Sequence, residues 1–314
     1  MTILAVTMNP SIDVQYPLEH LTLDDVNRVT EVRKTAGGKG LNVARVLHCL
    51  DHPVVATGVL GGYFGQYLQS RLDADGIKGD FAQTDGETRS CIAILHDDGN
   101  QTEILEKGPT LNAADAANFL AHYRELLKTV ELVTISGSLP GGLPVDFYAQ
   151  MVHIGHEAGV PVFLDASGAA LEAALKADDK PDLIKPNDSE LGALIGEAVD
   201  RTNLPQLAKQ LQNPLFAGVE WVVVSLGSKG AFAKHGSDFY QAAIEKINVV
   251  NPVGSGDSTL AGLAYATDKH ESAEEVLKSA MTCGMLNTME AKTGFVDKRK
   301  FAEYHAKVTV SKQG

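Results

Sequence analysis

The chain has 314 residues, 44% of them hydrophobic, enough for one large domain with an appended piece or for two domains, and enough for a sizeable core. Its 27 Lys and Arg against 40 Asp and Glu leave a formal charge of −13, which repels nucleic acid and anionic membrane, and no basic block offsets it. No apolar run reaches the roughly 18 residues of a bilayer span, and the three cysteines, Cys49, Cys91 and Cys283, lie far apart without a CxxC pair, so disulfides and zinc are not expected.

The start, Met1-Thr2-Ile3-Leu4-Ala5-Val6-Thr7, has no basic segment and reads as a first strand, at 4–8, rather than as a signal peptide. A soluble, cytoplasmic protein is expected. Residues 13–36 alternate apolar and polar side chains, as in Arg28-Val29-Thr30-Glu31-Val32, the period of a strand with one covered face. A helix at 41–50 and a strand at 54–60 follow. The alternation returns over 88–107, where Cys91-Ile92-Ala93-Ile94-Leu95 leads into an Asp97-Asp98-Gly99-Asn100 turn. Beyond it come helices at 112–128, 145–158 and 204–212 and strands at 132–136, 160–165, 183–185 and 221–225. A strand, Gly-rich turn, strand pattern covers 221–241, and 255–314 reads as mainly helical.

Continuous apolar strands alternating with helices predict a parallel sheet covered on both faces. The two alternating stretches predict a small β lid. The expected division is an α/β core of 1–12, 37–87 and 108–314, with a lid of 13–36 and 88–107. Such a lid leaves an apolar face open, which favours a homodimer formed through it.

Asn251-Pro252-Val253-Gly254-Ser255-Gly256-Asp257-Ser258-Thr259 leads into an apolar helical stretch. Its glycines let consecutive N–H groups converge at a helix N-terminus, an anion hole made of Gly254, Ser255 and Gly256. Asp257 at its mouth is expected to stay ionised beside the helix dipole and to accept a proton from a hydroxyl during phosphoryl transfer. The tetrapeptide alone reads equally well as a loop with an N-capping Asp. Ala36-Gly37-Gly38-Lys39-Gly40-Leu41-Asn42 is a second Gly-rich turn opening a helix, where Lys39 and Asn42 offer a cation and an amide; it is not a Walker sequence. In Lys185-Pro186-Asn187-Asp188-Ser189-Glu190, Asn187 and Glu190 share a helix face suited to hydrated Mg²⁺ and Lys185 faces phosphates, or else the segment is a plain helix start. Ser225-Leu226-Gly227-Ser228-Lys229-Gly230 is a turn able to flank a nucleotide.

In this order and spacing the segments resemble the ribokinase-like carbohydrate kinases, the PfkB family, over nearly the whole chain. Thr7-Met8-Asn9-Pro10-Ser11-Ile12-Asp13 and Asn251 to Thr259 resemble the branch holding 1-phosphofructokinase and tagatose-6-phosphate kinase; Lys34-Thr35-Ala36-Gly37-Gly38-Lys39-Gly40-Leu41-Asn42-Val43 is similar to the latter. The resemblance implies an α/β fold, a ribokinase-like three-layer α/β/α sandwich with a mostly parallel central sheet and a small β-sheet lid that can clasp a dimer. It implies use of ATP with Mg²⁺ to convert D-tagatose 6-phosphate to D-tagatose 1,6-bisphosphate, with fructose 1-phosphate as the alternative acceptor. Asp257 would be the base. Asp13, Gly38 and Asn42 would hold sugar hydroxyls, and Lys185, Asn187, Glu190, Ser225, Gly227, Gly230 and Asn287 would serve the nucleotide and its metal. Much of the family carries Asp where Asn251 stands and Ala where Ser255 stands, so Asn251 is left out of the site.

The Gly37-Gly38-Lys39-Gly40 turn does not by itself distinguish free from phosphorylated sugars. Positive charge in the lid does: Arg28 and Arg89, each expected on a lid strand, can converge with Lys39 on a dianionic phosphate, the alternative being that both are solvated charges of the lid surface. A dehydrogenase is disfavoured because Asn9-Pro10-Ser11, not Gly-x-Gly-x-x-Gly, follows the first strand. A non-catalytic sugar-phosphate sensor is disfavoured by the intact Gly254–Asp257 loop. His153 and His156 read as surface or packing residues and Cys91 as a small apolar strand residue.

Overall fold

The computed structural model describes residues 1–313. A central eleven-stranded sheet runs, from one edge, Lys78–Gly79, Val54–Gly61, Ile3–Thr7, Leu132–Ser136, Val162–Asp165, Leu183–Ile184 and Trp221–Ser225, all parallel. It continues antiparallel through Ala231–His235, Asp238–Ala243 and Thr309–Gln313, and a short strand, Ala82–Thr84, joins Val54–Gly61 off this path.

Every residue of Ile3–Thr7 is buried, and its side chains divide by parity. Ile3 and Ala5 enter one core with Leu41, Leu47, Leu68, Leu260 and Leu277, from the helices Lys39–Cys49, Gly62–Ala74, Ser255–Asp268 and Ala273–Thr288. Leu4 and Val6 enter the other with Phe119, Tyr148, Leu171, Leu191 and Leu207, from Ala113–Leu127, Phe147–Glu157, Gly168–Lys176, Asp188–Ile195 and Leu204–Gln210. Both parities must be apolar because helices cover both faces, which is why the strand shows no alternation. The result is a three-layer α/β/α sandwich.

The second sheet has the order Arg33–Gly37, Ser11–Pro17, Arg89–His96, Asn100–Leu105. Here alternation returns. Ile12, Val14 and Ile92 pack against the first core, Val14 and Ile92 also bordering the cleft that Asp13, Gln15, Arg89 and Cys91 line. The turn forms at Asp97–Gly99 as expected, with positive φ at Asp97, Asp98 and Gly99. One expected strand does not form: 28–32 is irregular and exposed, and the strand is Arg33–Gly37. Its ladder with Ser11–Pro17 stops at the pair Gln15 and Arg33, short of Pro17, which has no N–H to donate. Arg28 therefore lies outside any strand. All four lid strands have an end on one seam with the core, at Ser11, Gly37, Arg89 and Leu105.

Two helices had no counterpart in the sequence reading, Gly62–Ala74 and Gly168–Lys176, as had the last strand, Thr309–Gln313. The first buries only Gly65, Leu68 and Leu72, too sparse an apolar stripe to stand out, and the last strand has no apolar run. No helix among the described residues is long and apolar enough to cross a membrane.

Candidate active site

A cleft of about 1500 Å³ lies between the lid sheet and the C-terminal ends of the central strands, where open α/β sheets place their ligands. At its floor the helix Ser255–Asp268 starts after Gly254, whose φ of 80° is left-handed and whose Cα has no room for a Cβ, since one would stand 2.6 Å from Thr293 Cγ2. Ser258 closes the first turn on the Gly254 carbonyl, by its N–H at 2.9 Å and its hydroxyl at 2.8 Å. Among the described residues the N–H groups of Gly256 and Asp257 have no acceptor, and they belong to a helix end that favours anions.

Asp257 is buried, and Asn42 Nδ2 donates to its Oδ2 at 2.8 Å. Burial, and next the negative charge of Asp165, push its pKa up to about 6, against the Asn42 hydrogen bond and the charges of Lys39 and Lys185. The carboxyl is therefore largely ionised at neutral pH, as expected, but burial lifts it well above the ordinary carboxylate range, which the helix start alone did not foretell.

Asp165, at the end of Val162–Asp165, was not foreseen. It lies with its Oδ2 3.5 Å from Lys185 Nζ, both side chains buried, and it is the main reason the Lys39 pKa is raised. An acidic residue ending a buried apolar strand was the available signal. Arg45 was also missed, though it stands three residues after Asn42 on one face of the same helix. Its Nη1 donates to Asn42 Oδ1 at 2.9 Å and to Thr293 O at 3.2 Å, and its Nη2 to Ala36 O at 2.6 Å.

On the lid side, Asp13 accepts from Ser11 Oγ at 2.6 Å and is held above its usual pKa by burial. Gly38, with φ 119°, turns the chain into the helix that carries Lys39 and Asn42, and all three line the cleft. Arg89 lines it too, and its guanidinium donates to Asn9 O at 3.2 and 3.0 Å and to Glu106 O at 3.0 Å, leaving two of its five N–H groups uncommitted. Arg28 is exposed and does not line the cleft; Arg33 and Lys34 do, from the strand that forms instead.

At the other end of the cleft, Asn187 caps the helix Asp188–Ile195, accepting from Glu190 N at 2.8 Å while Glu190 Oε2 accepts from Asn187 N at 2.8 Å. The helix-start reading of this segment is therefore realised, and Asn187 is the cap rather than a residue on the helix face. Both still line the cleft, with Lys185, Ser225 and Gly227. Arg201, paired with Asp188 at 2.6 and 2.9 Å, joins them.

Besides Arg28, two expected contributors do not reach the cleft. Gly230 has its Cα against the Ala242 carbonyl, 2.0 Å from where a Cβ would stand. Asn287 is fully buried with both amide ends spent, donating to Val253 O at 2.9 Å and accepting from Gly294 N at 2.8 Å. It supports the segment leading into Gly254 rather than facing a nucleotide base. Asn251, left out of the site, braces the same region through Thr293 Oγ1 at 3.2 Å and Val253 N at 3.0 Å. His153 and His156 pair with Asp179 and Asp182, at 2.6 and 3.0 Å, and gather no metal ligands.

Residues 5–299 match the pfkB family of carbohydrate kinases. The chain belongs to this family. Among solved pfkB-like structures, a Staphylococcus aureus protein assigned provisionally as a phosphofructokinase is 31% identical, with a TM-score of 0.84 over 100% of this chain and 99% of that one. Phosphofructokinase-2 of Escherichia coli in complex with fructose 6-phosphate is 26% identical, with a TM-score of 0.85 over 98% of each chain. A Thermotoga maritima protein named provisionally as a 1-phosphofructokinase is 27% identical, with a TM-score of 0.88 over 100% of each. The pfkB assignment makes the chain a sugar kinase with the ribokinase-like sandwich and β lid seen here.

Proposed function

We propose that the chain transfers the terminal phosphoryl group of ATP to a ketohexose phosphate, converting D-tagatose 6-phosphate to D-tagatose 1,6-bisphosphate. The observation that carries the reading is Asp257, a buried carboxylate with its pKa near 6, bonded to Asn42 and adjoining two N–H groups without acceptors at the floor of a cleft. Near neutral pH it is ionised and basic enough to take the proton of an attacking hydroxyl, while the Gly256 and Asp257 N–H groups face the charge developing on the transferred group. Asp13, Gly38 and Asn42 hold the sugar hydroxyls. Arg89 and Lys39 meet its phosphate, with Arg33 and Lys34 adding positive charge on the lid.

Lys185, Asn187, Ser225 and Gly227 serve the nucleotide. Among the described residues no group of three His, Cys, Asp or Glu gathers to hold a metal, but Glu190 keeps one carboxylate oxygen without a partner. That fits Mg²⁺, which keeps several waters and binds through one or two carboxylates plus phosphates. When bound, the ion would neutralise phosphate charge, and Glu190 would hold it through water; the Asn187 amide oxygen, which already accepts from Glu190 N and Ser189 Oγ, would instead fix the position of Glu190. A second copy of the chain covers the edge strand of the lid, Asn100–Leu105, where Ile104 and Leu105 are 56% and 60% exposed, and the mass in solution checks this.

The turn sequence from Lys34 to Val43 supports tagatose 6-phosphate. The Thermotoga maritima relative favours a second reading, fructose 1-phosphate. A kcat/KM panel of tagatose 6-phosphate, fructose 6-phosphate and fructose 1-phosphate with ATP decides, with the first expected to lead. Asp257→Asn is expected to lower kcat by a factor on the order of 10²–10⁴ with little change in KM. Sugar-phosphate binding without any ATP turnover in the unmodified protein would instead support a sensor.

A further inference from the structure

We propose that Arg45 is a positioning residue for the reaction, fixing which end of the Asn42 amide faces Asp257. The inference rests on the reading of Asp257 as the base. An amide can present either end to a carboxylate, but only the NH₂ end binds it. Arg45 has no acceptor to offer, so an Asn42 rotated by half a turn would set its NH₂ against a guanidinium and its oxygen against a carboxylate. With Arg45 Nη1 donating to Asn42 Oδ1 at 2.9 Å, Nδ2 is left for Asp257 Oδ2 at 2.8 Å.

The surroundings argue that this orientation is what the arginine supplies. Its side chain is 4% exposed, its Nε has no hydrogen-bond partner, and its nearest carboxylate oxygen, on Asp75, is 3.8 Å away. A buried guanidinium so incompletely paired is an expensive way to support a helix, and an apolar residue of similar volume would do that better. Its remaining bonds hold the two segments that meet Asn42: the end of the lid strand at Ala36 O and the Thr293 loop packed under Gly254.

The charged groups around Asp257 are Asp165, from the strand Val162–Asp165, Lys185, beyond the strand Leu183–Ile184, and Lys39 and Arg45, from the helix of Asn42. Arg45 therefore also acts on Asp257 directly, by its charge. Two substitutions separate charge from orientation. Arg45→Met removes both; Arg45→Lys keeps the charge opposite Asp75, but its ammonium ends one bond short of Nη1.

The test follows Asp257 in two ways, by the acid limb of kcat against pH and by carboxyl ¹³C NMR titration of the resting protein. Arg45→Lys is expected to move both midpoints upward by about one pH unit, the worth of one hydrogen bond to a charged group. Adding Arg45→Lys to Asn42→Ala is expected to move them no further. An unmoved midpoint in Arg45→Lys overturns the proposal, and so does a shift confined to Arg45→Met, which charge alone explains. If Arg45→Met does not fold, Arg45→Lys decides by itself. Full turnover in Asp257→Asn would refute the base instead, and the NMR midpoints would still report on Arg45.

Discussion

Lys185 Nζ lies 3.5 Å from Asp165 Oδ2 at the floor of the cleft, with both side chains buried. That carboxylate acts on three groups at once: it neutralises Lys185, raises the pKa of Lys39, and after burial is the main cause lifting the pKa of Asp257.

Asp165→Asn is expected to lower the pKa of Asp257 below about 6, because the raising charge is gone, and to move the acid limb of kcat to lower pH. Lys185 is left without its buried partner, at a stability cost of about 3 kcal/mol or more. A pH–rate profile and urea denaturation measure the two effects. An acid limb moving to higher pH would contradict the electrostatic account.

Arg89→Ala is expected to raise KM for the sugar phosphate by about tenfold while KM for ATP changes little, since a hydrogen bond between charged groups is lost on one ligand only. Arg89→Lys restores charge but cannot span Asn9 O and Glu106 O together, so KM stays raised. Equal increases in both KM values would mean that Arg89 closes the cleft instead of reading the phosphate.

Asn187→Ala is expected to destabilise the protein by about 1 kcal/mol through loss of the helix cap and to raise KM for ATP. Asn187→Ser retains capping oxygen and should recover the stability but not KM. Recovery of both would reduce Asn187 to a cap.

His52 packs at the far end of the helix that begins at Ser255, its Nε2 3.0 Å from Asp268 Oδ2, with both residues buried. Burial lowers its pKa below 6.5 in spite of that carboxylate. As pH falls through about 6.5 the unfolded chain takes up a proton that the folded one refuses until lower pH, so stability is lost on acidification. His52→Gln is expected to flatten the fall of Tm between about pH 7 and pH 5. Parallel Tm curves for the two proteins would exclude His52 as the cause.

The core was readable because Ile3–Thr7, Leu132–Ser136 and Trp221–Ser225 are continuous apolar runs between turn residues, a pattern set by burial on both faces. The glycines of the two turns and Asp257 were readable because they recur in fixed order. Register was less so. Arg28-Val29-Thr30-Glu31-Val32 alternates better than Arg33–Gly37 does, and yet the pairing with Ser11–Pro17 selects the second. Asn287 looked like a nucleotide contact because nothing local shows that Val253 and Gly294 use up its amide. The raised pKa of Asp257 was not legible for a related reason: the helix start is local and visible in sequence, whereas burial and Asp165 come from distant segments.

The seam of the lid limits how it moves. All four strands meet the core along one line, so the sheet cannot twist or slide as a unit without distorting several backbone crossings together. Arg89 spans two of those crossings, through Asn9 O and Glu106 O, and Arg45 holds a third at Ala36 O. What this leaves soft is one angle, a page turning on its binding, with two arginines as the stitches.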